Sequence, residues 1–132
     1  MSEKTHITEN GLVDTNILVY WVDSEEAVRH KKAMGFFETV LANPKKFVVG
    51  IQNIREFCSV VIRKKKISPT DLETALFTLN GSFNQTLPET AEDIRLAAQT
   101  SLEQQTPFFD TLLAATMHRH GITTIYTENE RD

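Results

Sequence analysis

The stretch Gly11–Tyr20, GLVDTNILVY, closes two apolar runs around a polar core of Asp14, Thr15 and Asn16. The first run predicts a short buried strand over residues 12–14, and a helix signal follows at once at Thr15 or Asn16. The carboxylate of Asp14 therefore falls at a strand-to-helix junction. Buried alone it would carry a heavy desolvation cost or stay protonated, so it needs a reason to be there. Capping the new helix is one reason, because Asp is a favoured N-cap residue. Holding a ligand together with other acids is another.

The same alternation continues along the chain. A helix is expected from Ser24 as N-cap to about Leu41, with Ala27, Met34, Phe37 and Leu41 near helical spacing. KFVVG (46–50) reads as a second buried strand. A helix over Gln52–Lys65 should follow it, with Ile54, Cys58, Val61 and Ile62 facing inward. Ser68, Pro69 and Asp71 form a strong helix start, and that helix should stop near residues 80–82. NQTLPE (84–89) can hold a short strand, and the segment 90–105 predicts a helix capped by Thr90. A last helix is expected from Phe109–Asp110 to Gly121, a good residue just past a helix end, with ITTIYT (122–127) as a strand after it.

Strands separated by helices in this order predict an α/β domain with three layers, α/β/α, around a central mostly parallel sheet. Such sheets bind ligands at the carboxyl ends of their strands. Asp14 ends the first strand and TENERD (127–132) follows the last, so both polar clusters should meet at one edge.

The 132 residues fit a polar tail, residues 1–10, and one domain over 11–132. The 40% hydrophobic and 24% charged fractions exclude a disordered chain. No apolar run approaches about eighteen residues, so no membrane span is expected. MSEKTHITEN lacks the apolar core of a signal peptide, and the single Cys58 cannot form an internal disulfide; both point to the cytoplasm. A net charge of −4 disfavours a general nucleic-acid binder. That objection weakens if carboxylates cluster around divalent cations, which reverse the local sign.

Three acids stand in stretches that otherwise favour burial: Asp14, Glu56 within IQNIREFCSVVI, and Asp110 between PFF and TLLAA. Each has an ordinary reading alone: Asp14 and Asp110 as helix caps, Glu56 as a solvent-facing helix residue. Jointly they sit at strand-to-helix junctions or helix starts that the α/β order gathers at one end. A hard cation such as Mg²⁺ or Mn²⁺ takes oxygen ligands and would neutralise such a group.

LVDTNILVY, NIREF, FFDTLLAATMHRHG and ITTIYTENERD, in this order and over residues 11–132, resemble a PIN domain. The resemblance is nearest to the VapC-type ribonuclease toxins of bacteria and archaea. It implies that Asp14, Glu56 and Asp110 hold Mg²⁺ or Mn²⁺ and that the protein hydrolyses RNA phosphodiester bonds as an endoribonuclease. Thr15 and Asn16 match the polar pair after the first aspartate and are expected to brace the acids by hydrogen bonds, with Thr127 ending the last inner strand. The departure from the pattern is at Asn129, where an acid is usual. Its carbonyl oxygen could reach a metal but brings no charge. Glu128, Glu130 and Asp132 are nearby substitutes, Asp132 matching a second acid often found just beyond. The family usually continues into a further short strand, so either the chain is trimmed at Asp132 or the sheet lacks that edge.

The segments 27–41 and 71–83 match amphipathic helices that in VapC-type proteins form an antitoxin groove and part of a dimer interface. The resemblance therefore implies an RNA substrate, a homodimer and a small antitoxin protein as partners, in a type II toxin–antitoxin pair. Arg63, Lys64 and Lys65 are either phosphate contacts or a solvated helix end that suits the helix dipole. His30, Lys31 and Lys32 carry the same ambiguity, while His118 and His120 read as structural or surface. A haloacid dehalogenase-like phosphatase would need a second aspartate where Asn16 stands. A receiver domain would need an acidic pair and a late lysine that are not evident. A PIN-like module that binds RNA or protein with little or no nuclease activity is the remaining alternative.

Overall fold

A computed structural model of the chain describes residues 10–65 and 67–128. Within them the order is β1 (Gly11–Val13), α1 (Thr15–Val22), α2 (Ala27–Ala42), β2 (Phe47–Gly50), α3 (Ile51–Arg63), α4 (Pro69–Ser82), β3 (Gln85–Leu87), α5 (Ala91–Gln104), α6 (Phe108–Arg119) and β4 (Thr124–Tyr126). The strands form one sheet in the order β3-β2-β1-β4, and every pairing is parallel. Parallel neighbours need crossover connections, which the helices supply. The chain steps from β1 through β2 to β3, then β4 returns to the other side of β1. The order thus reverses between β1 and β4, and the crevice at their carboxyl ends is the position where such sheets take ligands.

Alternation along the short strands splits the interior in two. Val13, Phe47, Val49 and Tyr126 face a core shared with α1, α2, α3 and α4. Leu12, Val48 and Leu87 face the other way, onto Leu113 of α6 and Ile122. Helices therefore cover both faces, and α5 packs on α6. The three-layer α/β architecture expected from the sequence is the one observed.

Local signals explain most boundaries. The Ser68 hydroxyl accepts from the Asp71 N–H at 3.1 Å, with Pro69 opening the helix. Thr90 and Asp93 cap each other's backbone reciprocally at the start of α5. Gly121 adopts φ +72 just past α6, a left-handed conformation that suits glycine.

Two helices differ from expectation. Helix α2 starts at Ala27 rather than beside Ser24, and Glu26 precedes it without a side-chain cap bond. Its buried residues are Ala33, Phe36, Phe37 and Val40, whereas Met34 and Leu41 are exposed. The aromatic pair at 36–37 sets the face, because Phe37 stacks on Trp21 with ring centroids 4.3 Å apart and Phe36 meets Phe47 edge-on at 5.5 Å. In α3 the buried residues are Gln52, Asn53, Phe57 and Val61, and Ile62 is exposed. Phe57 takes the deepest place on that face, which turns Ile54 and Cys58 to its half-buried edge. Burial pushes the Cys58 thiol pKa up, so the thiol stays protonated.

Tyr126 is 2% exposed and packs against Phe36 and Phe47. Its ring lies over Gly11, where an added Cβ would stand only 2.0 Å from the ring carbon Cε2. Gly11→Ala should therefore destabilise the protein by about 1–3 kcal/mol, the usual range for overpacking, read as a lowered urea midpoint at unchanged slope.

Asp93, 3% exposed, accepts from the Arg119 guanidinium at 2.9 Å, and Arg119 also donates to the Pro88 carbonyl. These bonds tie the start of α5 to the end of α6. The hydrogen bonds from Arg119 hold the Asp93 carboxyl below its ordinary value of 3.8, against the opposing effect of burial and with help from the Thr90 N–H. A depressed folded-state value means the stabilisation is complete above 3.8 and is lost as pH falls through the folded value. Asp93→Asn should lower Tm by roughly 5–10 °C at neutral pH, and the difference should shrink on acidification.

Candidate active site

Asp14 follows β1 directly, in extended backbone with φ −75 and ψ 159. Its N–H donates to the Tyr126 carbonyl at 2.9 Å, which carries the parallel pairing with β4 one residue past β1. One carboxylate oxygen, Oδ1, accepts from the Thr15 N–H at 2.8 Å and caps α1. The other, Oδ2, accepts from the Thr127 hydroxyl at 3.1 Å. Thr127 in turn accepts from Asn16 Nδ2 at 3.1 Å, and Asn16 Oδ1 accepts from the Glu128 N–H at 3.3 Å. Asp14 is thus a helix cap and the centre of a polar site at once, with Asn16 and Thr127 joining the ends of β1 and β4 around it.

Glu56 stands one turn into α3, half-buried. Its Oε1 accepts from the Thr15 hydroxyl at 2.8 Å and its Oε2 from Gln52 Nε2 at 3.2 Å. Thr15 also accepts from Asn53 Nδ2 at 3.0 Å, so its hydroxyl is used in both directions. Asp110 is the third residue of α6, in the first turn, where the helix dipole favours an anion. The stretch around it was expected to be buried. Instead Phe109 is 59% exposed and Asp110 lies on the surface, because the apolar face of α6 begins only at Leu112 and Leu113.

Asp14 and Asp110 line one cleft of about 310 Å³, floored by Leu113, Met117 and Ile125. Asp14 also borders a second cleft, of about 360 Å³, that runs along α1 past Asp23 and Glu26 to Val60 and Lys64. Of the expected basic contacts, Lys64 shares a cleft with Asp14. Lys65 lines a separate, larger cleft between α1 and α4, and Arg63 is exposed at the end of α3. His118 is exposed and His120 Nδ1 lies 3.0 Å from the Thr116 carbonyl, in keeping with surface and structural roles. Asn129, Glu130 and Asp132 lie outside the described residues.

Among the described residues, no three acidic, histidine or cysteine side chains converge closely enough to hold an ion between them. Asp14 and Asp110 face one space, and Thr15 bonds to both Asp14 and Glu56. The donor set is nonetheless all oxygen and anionic, which suits Mg²⁺ or Mn²⁺. Mg²⁺ keeps several waters and is commonly held by one or two carboxylates. The two aspartates fit such a sparse, hydrated ion.

Gln52 and Asn53 are polar neighbours of the acids that the sequence reading missed. Both are buried, and they connect the acids' elements to one another. The available signal was a pair of adjacent carboxamides in the first turn of a helix whose next residues are apolar.

The chain belongs to the PIN domain family, whose model matches residues 11–131. Its structure is similar to the crystal structure of VapC20 of Mycobacterium tuberculosis, a sarcin-ricin loop cleaving toxin, with a TM-score of 0.65. The two are 17% identical, over 89% of this chain and 88% of that one. No curated protein matches the sequence significantly.

Thr15→Val keeps the shape of the side chain while leaving both the Asn53 amide and Glu56 short of a partner. It should cost about 1–2 kcal/mol of stability, measured by chemical denaturation against wild type.

Proposed function

We propose that this PIN domain is a metal-dependent endoribonuclease, and that it acts as the toxin of a type II toxin–antitoxin pair. The observation that carries the reading is the meeting of Asp14 and Asp110, 96 residues apart in sequence, on one cleft at the carboxyl end of the parallel sheet. That cleft adjoins the reversal of strand order, where the fold by itself favours a ligand. Asp14 and Asp110 would hold Mg²⁺ or Mn²⁺, with Glu56 beside them. When bound, the ion would supply a more acidic water and offset charge on the phosphate.

The chain's own residues do the rest. Thr127 and the Thr15 N–H fix both oxygens of Asp14, so the carboxylate cannot rotate away from the cleft. Thr15 and Gln52 do the same for Glu56. Lys64, at the far end of the second cleft, offers the positive charge that an RNA backbone needs. The likeness to VapC20, a sarcin-ricin loop cleaving toxin, makes the sarcin-ricin loop the first substrate to try. A homodimer, an antitoxin partner and a cytoplasmic site of action follow from the family reading; among the described residues no helix is long and apolar enough to cross a membrane.

A PIN-like binding module with weak or no nuclease activity is the second reading. It is favoured by the lack of a three-acid cluster among the described residues and by Asn129 at the usual acid position. Incubating RNA with the protein in Mn²⁺ or Mg²⁺ against EDTA separates the two. The nuclease should cut only with metal, and Asp14→Asn and Asp110→Asn should each lower cleavage roughly 100-fold or more while the protein stays folded by circular dichroism. Wild-type rates in either variant would sink the assignment. A binding module would show neither cleavage nor a metal-dependent shift in Tm.

A further inference from the structure

The first turn of α3 carries two neighbouring carboxamides, and each spans to a different acid-bearing element. Asn53 is fully buried; its Oδ1 accepts from the Gly50 N–H at 3.0 Å and its Nδ2 reaches Thr15, beside Asp14. Gly50 permits this approach, since a Cβ there would stand 2.9 Å from Asn53 Oδ1. Gln52 is 5% exposed and points the other way. Its Nε2 donates to Glu56 Oε2 at 3.2 Å and to the main-chain carbonyl of Phe109 at 3.0 Å, the residue before Asp110.

The orientation of the Gln52 amide is dictated by these neighbours. Turned over, it would set an oxygen against the Glu56 carboxylate and the Phe109 carbonyl, acceptor against acceptor. In the observed orientation Gln52 Oε1 is buried and has no hydrogen-bond partner among the described residues. A buried oxygen without a partner is a cost that an apolar side chain of the same length would avoid. The carboxamide is therefore explained by what its nitrogen does, not by the space it fills.

We propose that Gln52 is a positioning residue that sets the geometry of Glu56 relative to Asp110, and that Gln52 and Asn53 together clamp α1, which Asp14 caps, and the two acid-bearing helices α3 and α6 in register. The inference rests on the nuclease reading above. Glu56 is a long side chain with several rotors, and Gln52 holds the oxygen that Thr15 does not. The same nitrogen pins the main chain from which Asp110 projects. One amide group thus links two acids that are 54 residues apart in sequence and on different helices.

The test uses the full-length chain with Gln52→Met, which keeps length and volume without a donor. Gln52→Glu accompanies it and sets carboxylate against carboxylate in the same shape. Mn²⁺ titrations followed by calorimetry, and RNA cleavage kinetics, are run on both and on Glu56→Gln with and without Gln52→Met. Folded Gln52→Met should bind Mn²⁺ about 10-fold more weakly and lose 10- to 100-fold in kcat, the range typical of residues that orient metal ligands, with KM for RNA little changed; folded Gln52→Glu, which adds charge beside the ion, should lose kcat to a similar extent whatever its Mn²⁺ affinity. In the Glu56→Gln background the added loss from Gln52→Met should be smaller than in wild type, because part of its action passes through Glu56. Wild-type Mn²⁺ affinity and kcat in either folded variant would overturn the proposal. So would strict additivity with Glu56→Gln, or failure of both variants to fold, which would make the role structural. If wild type itself neither binds Mn²⁺ nor cleaves RNA, the nuclease reading fails first and this inference falls with it.

Discussion

Because β1 pairs in parallel with β2 on one side and β4 on the other, the carboxyl ends of the first and last strands lie next to each other. The hydrogen bond from the Asp14 N–H to the Tyr126 carbonyl extends that pairing just beyond the strand and fixes where the carboxylate starts. From there the geometry follows. Thr127 continues β4 and meets Asp14, while α6, whose chain leads into β4, brings Asp110 to the same cleft. The packing of Tyr126 over Gly11 supports the opposite end of the same pair of strands. Loosening the β1–β4 contact would disturb the core and the site together.

Polar satisfaction organises what the sheet brings together. Asp14, Thr15, Asn16, Asn53, Glu56 and Thr127 each make a hydrogen bond to another member of the group. Such networks rigidify when complete, since an unpaired group in a low-dielectric setting is costly. Among the described residues the exception is Gln52 Oε1, which is buried without a partner. The Asp93–Arg119 pair plays the matching part between the outer helices, where it locks the start of α5 to the end of α6, the end away from Asp110.

The fold was legible in the sequence because its punctuation is strong. Ser68-Pro69, Thr90 with Asp93, and Gly121 mark helix ends by mechanisms that act within a few residues, and KFVVG and ITTIYT have the composition of buried strands. Asp14 was legible for a similar reason, as a charge set between apolar runs. Legibility failed where tertiary packing chose among competing local patterns. Spacing alone favoured Met34 and Leu41 in α2, but aromatic contacts of Phe36 and Phe37 turned the helix. Asp110 seemed enclosed by PFF, and only the placement of α6 exposes Phe109. Gln52 and Asn53 were invisible as site residues because their partners, Phe109 and Thr15, are 57 and 38 positions away.

The two clefts that share Asp14 as a wall are unlike. One is floored by Leu113, Met117 and Ile125; the other passes Asp23 and Glu26 on the way to Lys64. The first is apolar apart from Asp14 and Asp110, whereas charged side chains line the length of the second. Two unlike hollows thus meet at a single carboxylate, so a substitution at Asp14 alters a wall of both at once.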